Sequence, residues 1–211
     1  MKYNFIAIEG NIGSGKTSLA NKIAFQNAST RLILENFSDN QFLPKFYHDS
    51  EKYAFPLELS FLIERYRQLE LEYGNFDLLK KPIVSDYYFY KSLIFAKANL
   101  KEQEFNIYSS LFNIICGSWP KPDLLIYLDL DIDKLQKNIL KRGRNYEQNI
   151  SDEYLIKIQS SYLTFLEQQK NMRILVLDIN DIDFVNNPSH YSKLINKISD
   201  DYPLGFNKVI L

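Results

Sequence analysis

An α/β fold, a five-stranded parallel sheet covered by helices on both faces, is predicted by three observations in this 211-residue sequence. Short apolar runs recur with helical stretches between them, the alternation expected of βαβ units. Each run ends in an acid, which puts carboxylates at the carboxyl ends of the strands, where open α/β sheets bind ligands. Residues 10–17 complete a G-x-x-x-x-G-K-[ST] phosphate loop directly after the first run, which makes the expected fold a P-loop NTPase-like three-layer sandwich.

The first strand is Phe5 to Ile8, followed by Glu9. In the loop Gly10-Asn11-Ile12-Gly13-Ser14-Gly15-Lys16-Thr17, glycines let backbone N–H groups turn inward around phosphates. Lys16 reaches the outer phosphates, the Thr17 hydroxyl can sit on Mg²⁺, and a helix starting at about Gly15 adds its dipole. The loop therefore predicts a bound nucleoside triphosphate, against the bland reading of a glycine-rich turn without a ligand.

The second run is Arg31 to Leu34, ending in Glu35. A helix over Phe55 to Tyr73 follows from Leu59, Leu62, Tyr66 and Leu69, apolar positions three and four apart. The third run, Ile83-Val84, leads to Asp86, and helices are expected over Phe89 to Asn99 and Lys101 to Cys116, the latter ended by Gly117 and Pro120. Leu124 to Leu128 with Asp129 and Ile174 to Leu177 with Asp178 are the fourth and fifth strands. Between them lie helices over Ile132 to Lys141 and Asp152 to Gln169, joined by Arg142-Gly143-Arg144-Asn145-Tyr146-Glu147-Gln148. That connection is the most charged in the chain and suits a lid of about residues 142–150 closing over phosphates.

Length, and the lack of repeats or a dividing linker, favour one domain over residues 1–211. A net charge of −1 argues against nucleic-acid binding and for a small ligand. The single cysteine excludes an internal disulfide, and no secretory segment precedes the first strand; both point to the cytoplasm. Cys116 reads as a small core hydrophobe before it reads as a reactive thiol. Apolar runs fall short of the roughly 20 residues that span a bilayer, so no membrane is expected. Fifteen Tyr and fifteen Phe exceed what a core needs, and some can line a flat pocket.

The motif alone does not separate a switch, a motor and a small-molecule kinase. No Asn-Lys-x-Asp string is present, and Asp86-Tyr87-Tyr88 replaces the Asp-x-x-Gly of a switch loop. Glu35, across the crevice from the loop on a strand near the first, can take a proton from a hydroxyl attacking the γ-phosphate. The same carboxylate would repel an incoming monophosphate. A nucleoside acceptor is therefore favoured over a nucleotide, with a thymidylate-type monophosphate kinase as the nearest rival. A nucleotide-binding regulatory module is the rival from another class, and it requires Glu35 and Asp86 to be remote from the loop.

Several further strings carry a resemblance: Phe42-Leu43-Pro44-Lys45-Phe46-Tyr47, Phe61-Leu62-Ile63-Glu64-Arg65-Tyr66, Ser85-Asp86-Tyr87-Tyr88 with Leu93-Ile94-Phe95-Ala96, Lys121-Pro122-Asp123 and Lys141-Arg142-Gly143-Arg144. With the phosphate loop, and in this order, they resemble the deoxyribonucleoside kinases, above all the bacterial deoxyguanosine kinase branch. The likeness runs from about Phe5 to Asp178. It implies transfer of the γ-phosphoryl of a triphosphate, usually ATP, to the 5′-hydroxyl of a deoxynucleoside with Mg²⁺, in a homodimer. It also implies that Glu35 is the catalytic base, that Asp86 reaches the metal shell, and that Tyr47, partnered by Glu147, bonds the sugar 3′-hydroxyl. Arg142 and Arg144 would then neutralise the transferring phosphoryl group. Two positions depart from the family. Tyr87 stands where relatives carry arginine, so a lid arginine is expected to supply the charge, and Asn138 stands where another arginine is common.

Base preference rests on Glu58, where relatives that accept cytosine or adenine carry glutamine. An ionised carboxylate offers only acceptors and so suits the N1–H and amine of guanine, whereas it would face the N1 acceptor of adenine. Deoxyguanosine is expected ahead of deoxyadenosine. A solvated carboxylate in the first turn of its helix, beside Pro56, is the alternative for Glu58. Arg65, two turns on, is expected to reach O6 or N7 of a purine, or else to pair with Glu64 or Glu70.

Overall fold

The structure is a computed structural model that describes residues 2–36, 40–73, 81–116 and 120–211. Among the described residues, six parallel strands form one sheet in the order β2-β3-β1-β4-β5-β6. They are β1 (Phe5–Gly10), β2 (Arg31–Ile33), β3 (Ile83–Ser85), β4 (Leu124–Asp129), β5 (Arg173–Asp178) and β6 (Gly205–Ile210). The helices are α1 (Lys16–Gln26), α2 (Leu43–His48), α3 (Ser50–Tyr73), α4 (Lys91–Asn99), α5 (Glu102–Cys116), α6 (Ile132–Arg142), α7 (Asp152–Glu167) and α8 (Pro188–Ile198).

The central strands explain the layering. β1 and β4 are buried at every position, as strands covered on both faces must be. Ile6 and Ile8 enter one core with Leu19, Leu128 and Leu135. Phe5 and Ala7, alternating with them, enter the other with Leu125, Tyr127 and Tyr162. Hydrophobic burial on two faces therefore fixes the sheet between two helical layers.

Two expectations are corrected here. The sheet has six strands instead of five: β6 adds to the outer side of β5, with Arg173 paired to Gly205 and Asp178 to Ile210. As an edge strand it is half-exposed and carries Asn207 and Lys208, so no continuous apolar run announced it. The second strand lies near the first, with β3 between them. Finally, α3 begins at Ser50 and runs through Pro56, so Glu58 lies well past the first turn and is buried. The helix tolerates this proline at the loss of one backbone hydrogen bond. The helix end assigned to Gly117, and the side chain of Cys116, lie outside the described residues. No helix among the described residues is long and apolar enough to cross a membrane.

Candidate active site

The phosphate loop leaves the end of β1 and is held from beneath. The Asn11 side chain donates to the Leu155 carbonyl of α7 at 2.8 Å, and Asn138 of α6 donates to the Gly13 carbonyl at 2.8 Å. Asn138 thus binds loop backbone. Gly13 has φ +84°, and a Cβ there would sit 2.8 Å from the Leu135 carbonyl oxygen, so this turn requires glycine. Lys16 Nζ donates to the carbonyls of Gly10 and Asn11 at 3.0 and 2.9 Å. Burial is the largest influence on that ammonium and, with the nearby charge of Lys91, lowers its pKa to about 8 against the pull of Glu9, Glu35 and Asp86. Ser14 Oγ is buried without a hydrogen-bond partner among the described residues, under the loop.

Asp86, one residue past β3, joins three elements. Its Oδ2 accepts from the Thr17 hydroxyl at 2.5 Å, and its Oδ1 accepts from the Glu35 backbone N–H at 2.7 Å. A hydroxyl and a carboxylate in contact at the head of α1 fit Mg²⁺, which takes hard oxygen ligands and fills its octahedron with water and substrate phosphate.

Glu35 follows β2 and is held by two cations. Arg65 of α3 donates from Nε and Nη2 to Oε1 at 2.9 and 2.6 Å, and Lys91 donates to Oε2 at 2.5 Å. Burial works to raise the pKa of this carboxyl, but the charges of Lys91 and Arg65 outweigh it and hold the group down at about 2. Arg65 also donates from Nη1 to Ser92 at 2.8 Å. Arg65 is thus anchored on Glu35 and Ser92 while it lines the cavity under the lid.

Both lid arginines, expected to supply the charge that Tyr87 cannot, line the site. Tyr87 is buried, with its hydroxyl donating to Gln68 at 3.0 Å. Arg142 donates to Glu147 Oε2, and Arg144 donates to Oε1 at 3.1 Å. Lys91, the first residue of α4, is buried and provides the charge beside Glu35. The signal missed in the sequence is a lysine inside the apolar stretch Phe89-Tyr90-Lys91-Ser92-Leu93-Ile94, since a lysine is almost never fully buried unless paired. Glu9 was also passed over as a site residue. It is buried, its oxygens accept from the Tyr88 N–H at 2.6 Å and the Tyr162 hydroxyl at 2.9 Å, and burial raises its pKa. It pins the loop after β3 and helix α7 to the strand that bears the phosphate loop.

Not every strand-end acid joins the site. Asp129 accepts from Gln159 and Lys208, and Asp178 accepts from Asn180, so both brace the far side of the sheet.

Two cavities meet above the sheet. One is enclosed by α2, α3, α7 and the lid and holds Tyr47, Glu58 and Glu147; the other follows the phosphate loop to Asn138 and the 179–186 segment after β5. Lys16, Thr17, Glu35, Asp86, Arg142 and Arg144 line both. The 179–186 wall was not anticipated, because the resemblance ends near it and its residues carry no motif. Tyr47 stacks on Tyr146 of the lid, with centroids 6.3 Å apart. Tyr47 and Glu147 line the same cavity, and the Glu147 oxygens accept from the two lid arginines. Burial, together with nearby Tyr154 and Glu147, raises the Tyr47 pKa.

The sequence profile of the deoxynucleoside kinase family matches residues 6–202. The deoxyguanosine kinase of Bacillus subtilis is 34% identical over 200 residues, spanning 93% of this chain and 96% of that protein. The deoxyadenosine kinase of Lactobacillus acidophilus is 30% identical, spanning 92% and 94%. The solved structure of the deoxyadenosine kinase from M. mycoides with bound dATP superposes with a TM-score of 0.79 at 25% identity, covering 92% of this chain and 99% of that one.

Proposed function

Because the chain belongs to the deoxynucleoside kinase family, we propose that it transfers the γ-phosphoryl group of ATP to the 5′-hydroxyl of a purine deoxynucleoside, deoxyguanosine ahead of deoxyadenosine. The observation that carries this reading is the set of six residues shared by the two cavities. Donor phosphates on the loop and an acceptor sugar under the lid would meet at these residues. Lys16 and the loop amides bind the phosphates, Glu35 orients the acceptor hydroxyl, and Tyr47 contacts the sugar. Arg142 and Arg144, carried on Glu147, face the transferring group. Thr17 and Asp86 would hold Mg²⁺, which would offset the phosphate charge when bound.

The monophosphate-kinase reading is less well supported, since Glu35, Glu58 and Glu147 all line the acceptor cavity. A regulatory module without turnover would need Glu35 and Asp86 to be remote from the loop, and Asp86 accepts directly from Thr17. The proposal extends to a homodimer in the cytoplasm, supported by the family resemblance and the single cysteine. The test is a panel of the four deoxynucleosides and dGMP with ATP and Mg²⁺. Deoxyguanosine is expected to react fastest, deoxyadenosine next and dGMP not at all; phosphorylation of dGMP without that of deoxyguanosine would overturn the assignment.

Glu58 supplies the base preference in this reading. Glu58→Gln is expected to move the ratio of deoxyguanosine to deoxyadenosine phosphorylation toward deoxyadenosine by about 5- to 150-fold, the scale of bidentate base readout. Both nucleosides competing in one tube measure it, and an unchanged ratio removes Glu58 from the base site.

A further inference from the structure

Glu58 lies in the wall of the acceptor cavity with one oxygen tied and the other open. Asn99, the last residue of α4, donates to Glu58 Oε1 at 2.7 Å and to the Tyr154 hydroxyl at 3.2 Å. Oε2 is buried and has no partner among the described residues, on a residue only 2% exposed. An unpaired carboxylate oxygen out of water is costly, so it calls either for a donor from the ligand or for a proton of its own.

From this arrangement we infer that Glu58 reads the acceptor base in two protonation states, so that the choice between guanine and adenine changes with pH. The inference rests on the deoxynucleoside kinase reading above. When ionised, Glu58 presents acceptors only: Oε2 takes the N1–H of guanine, and Oε1, shared with Asn99, takes the 2-amine. When protonated, it presents one donor and one acceptor. The Asn99 amide occupies Oε1 as a donor, so the proton resides on Oε2 and points at N1 of adenine. Asn99 is thus the positioning residue that decides which oxygen carries the proton.

The surroundings set the titration near neutrality. Burial is the largest effect and raises the carboxyl; the Asn99 hydrogen bond and the charges of Arg65 and Lys91 lower it, and Glu35 raises it, leaving it at about 7. The groups facing it are Arg65 from α3, Glu35 from beyond β2, Lys91 from α4, Tyr108 from α5 and Tyr154 from α7. Burial raises both tyrosines, so they stay neutral through this range. Neither base changes its own protonation between pH 6 and pH 8, a window of about one unit either side of neutrality.

The test is competition between deoxyguanosine and deoxyadenosine in one tube, with ATP and Mg²⁺, from about pH 6 to about pH 8. The product ratio equals the ratio of the two kcat/KM values, so titrations common to both substrates cancel. The dGMP-to-dAMP ratio is expected to rise by up to about a hundredfold across the range. The ratio is expected to be flat for Glu58→Gln, and for Asn99→Leu the rise should shift to higher pH, because a bond that favours the ionised form is lost. A flat wild-type ratio, or a rise that Glu58→Gln reproduces, overturns the inference. If Glu58→Gln still changes the preference in that case, the base-site reading stands without the switch. If neither nucleoside is phosphorylated, the proposed function itself fails.

Discussion

Glutamine at position 35 is expected to lower turnover by about 10²–10⁴ while leaving nucleoside binding largely intact. Steady-state kinetics that separate kcat from KM, with a thermal melt to verify folding, measure this. The pairing of Glu35 refines what the loss means. A carboxyl held at about 2 by Lys91 and Arg65 is a weak Brønsted base at neutral pH and is therefore poorly suited to pulling a proton off early. Phosphoryl transfer through a loose transition state demands little activation of the nucleophile. In the proposed reaction Glu35 would then act chiefly by accepting a hydrogen bond from the acceptor hydroxyl and aiming it in line, taking the proton late. Glutamine keeps the shape but has neither the charge nor the second acceptor, and it leaves two buried cations short of a partner. The pKa is depressed in the folded chain, so ionised Glu35 contributes stability that is fully present above the ordinary carboxylate value and is lost as pH falls through about 2. Near-normal turnover in the variant would hand the role to another group.

Lys91→Met carries the second largest expected effect, a drop in turnover of about 10²–10³. Lys91 fixes Oε2 of Glu35 and lies in the same charge cluster as Lys16 and Glu9. Methionine keeps the length and apolar stem but leaves Glu35 oriented by Arg65 alone, free to turn about its last bond. Lys91→Arg should recover part of the loss, since it restores a cation at the head of α4. Equal defects in both variants would point to packing as the cause, and turnover within a few-fold of wild type for Lys91→Met would remove the residue from the machinery.

Local signals account for what the sequence disclosed. The phosphate loop, its flanking strand and helix, and the alternation of apolar runs depend on neighbours in the chain, and all three appear in the structure as expected. Asp86 was found because strand ends in α/β sheets point at ligands. What stayed hidden depends on distant pairs. Arg65 looks like any arginine on an amphipathic helix until α3 is packed beside the end of β2, and Lys91 looks like a solvated helix start until its neighbours are known. Proline at 56 suggested a helix beginning there, but tertiary packing of Ala54 and Leu57 against Phe46 carries α3 on through it. The edge strand β6 needs only one hydrogen-bonded neighbour and one covered face, so its pattern is too weak to read alone.

The hydrogen bond from Asn138 to the Gly13 carbonyl has a mechanical consequence. Asn138 and Arg142 lie one turn apart on α6, so a single stiff rod joins the cradle that grips the donor to the arm that reaches over the acceptor. A tilt of that rod that swings Arg142 inward must also tug on the turn at Gly13. In the proposed reaction, gripping one substrate and closing over the other would therefore be geared together instead of being independent events.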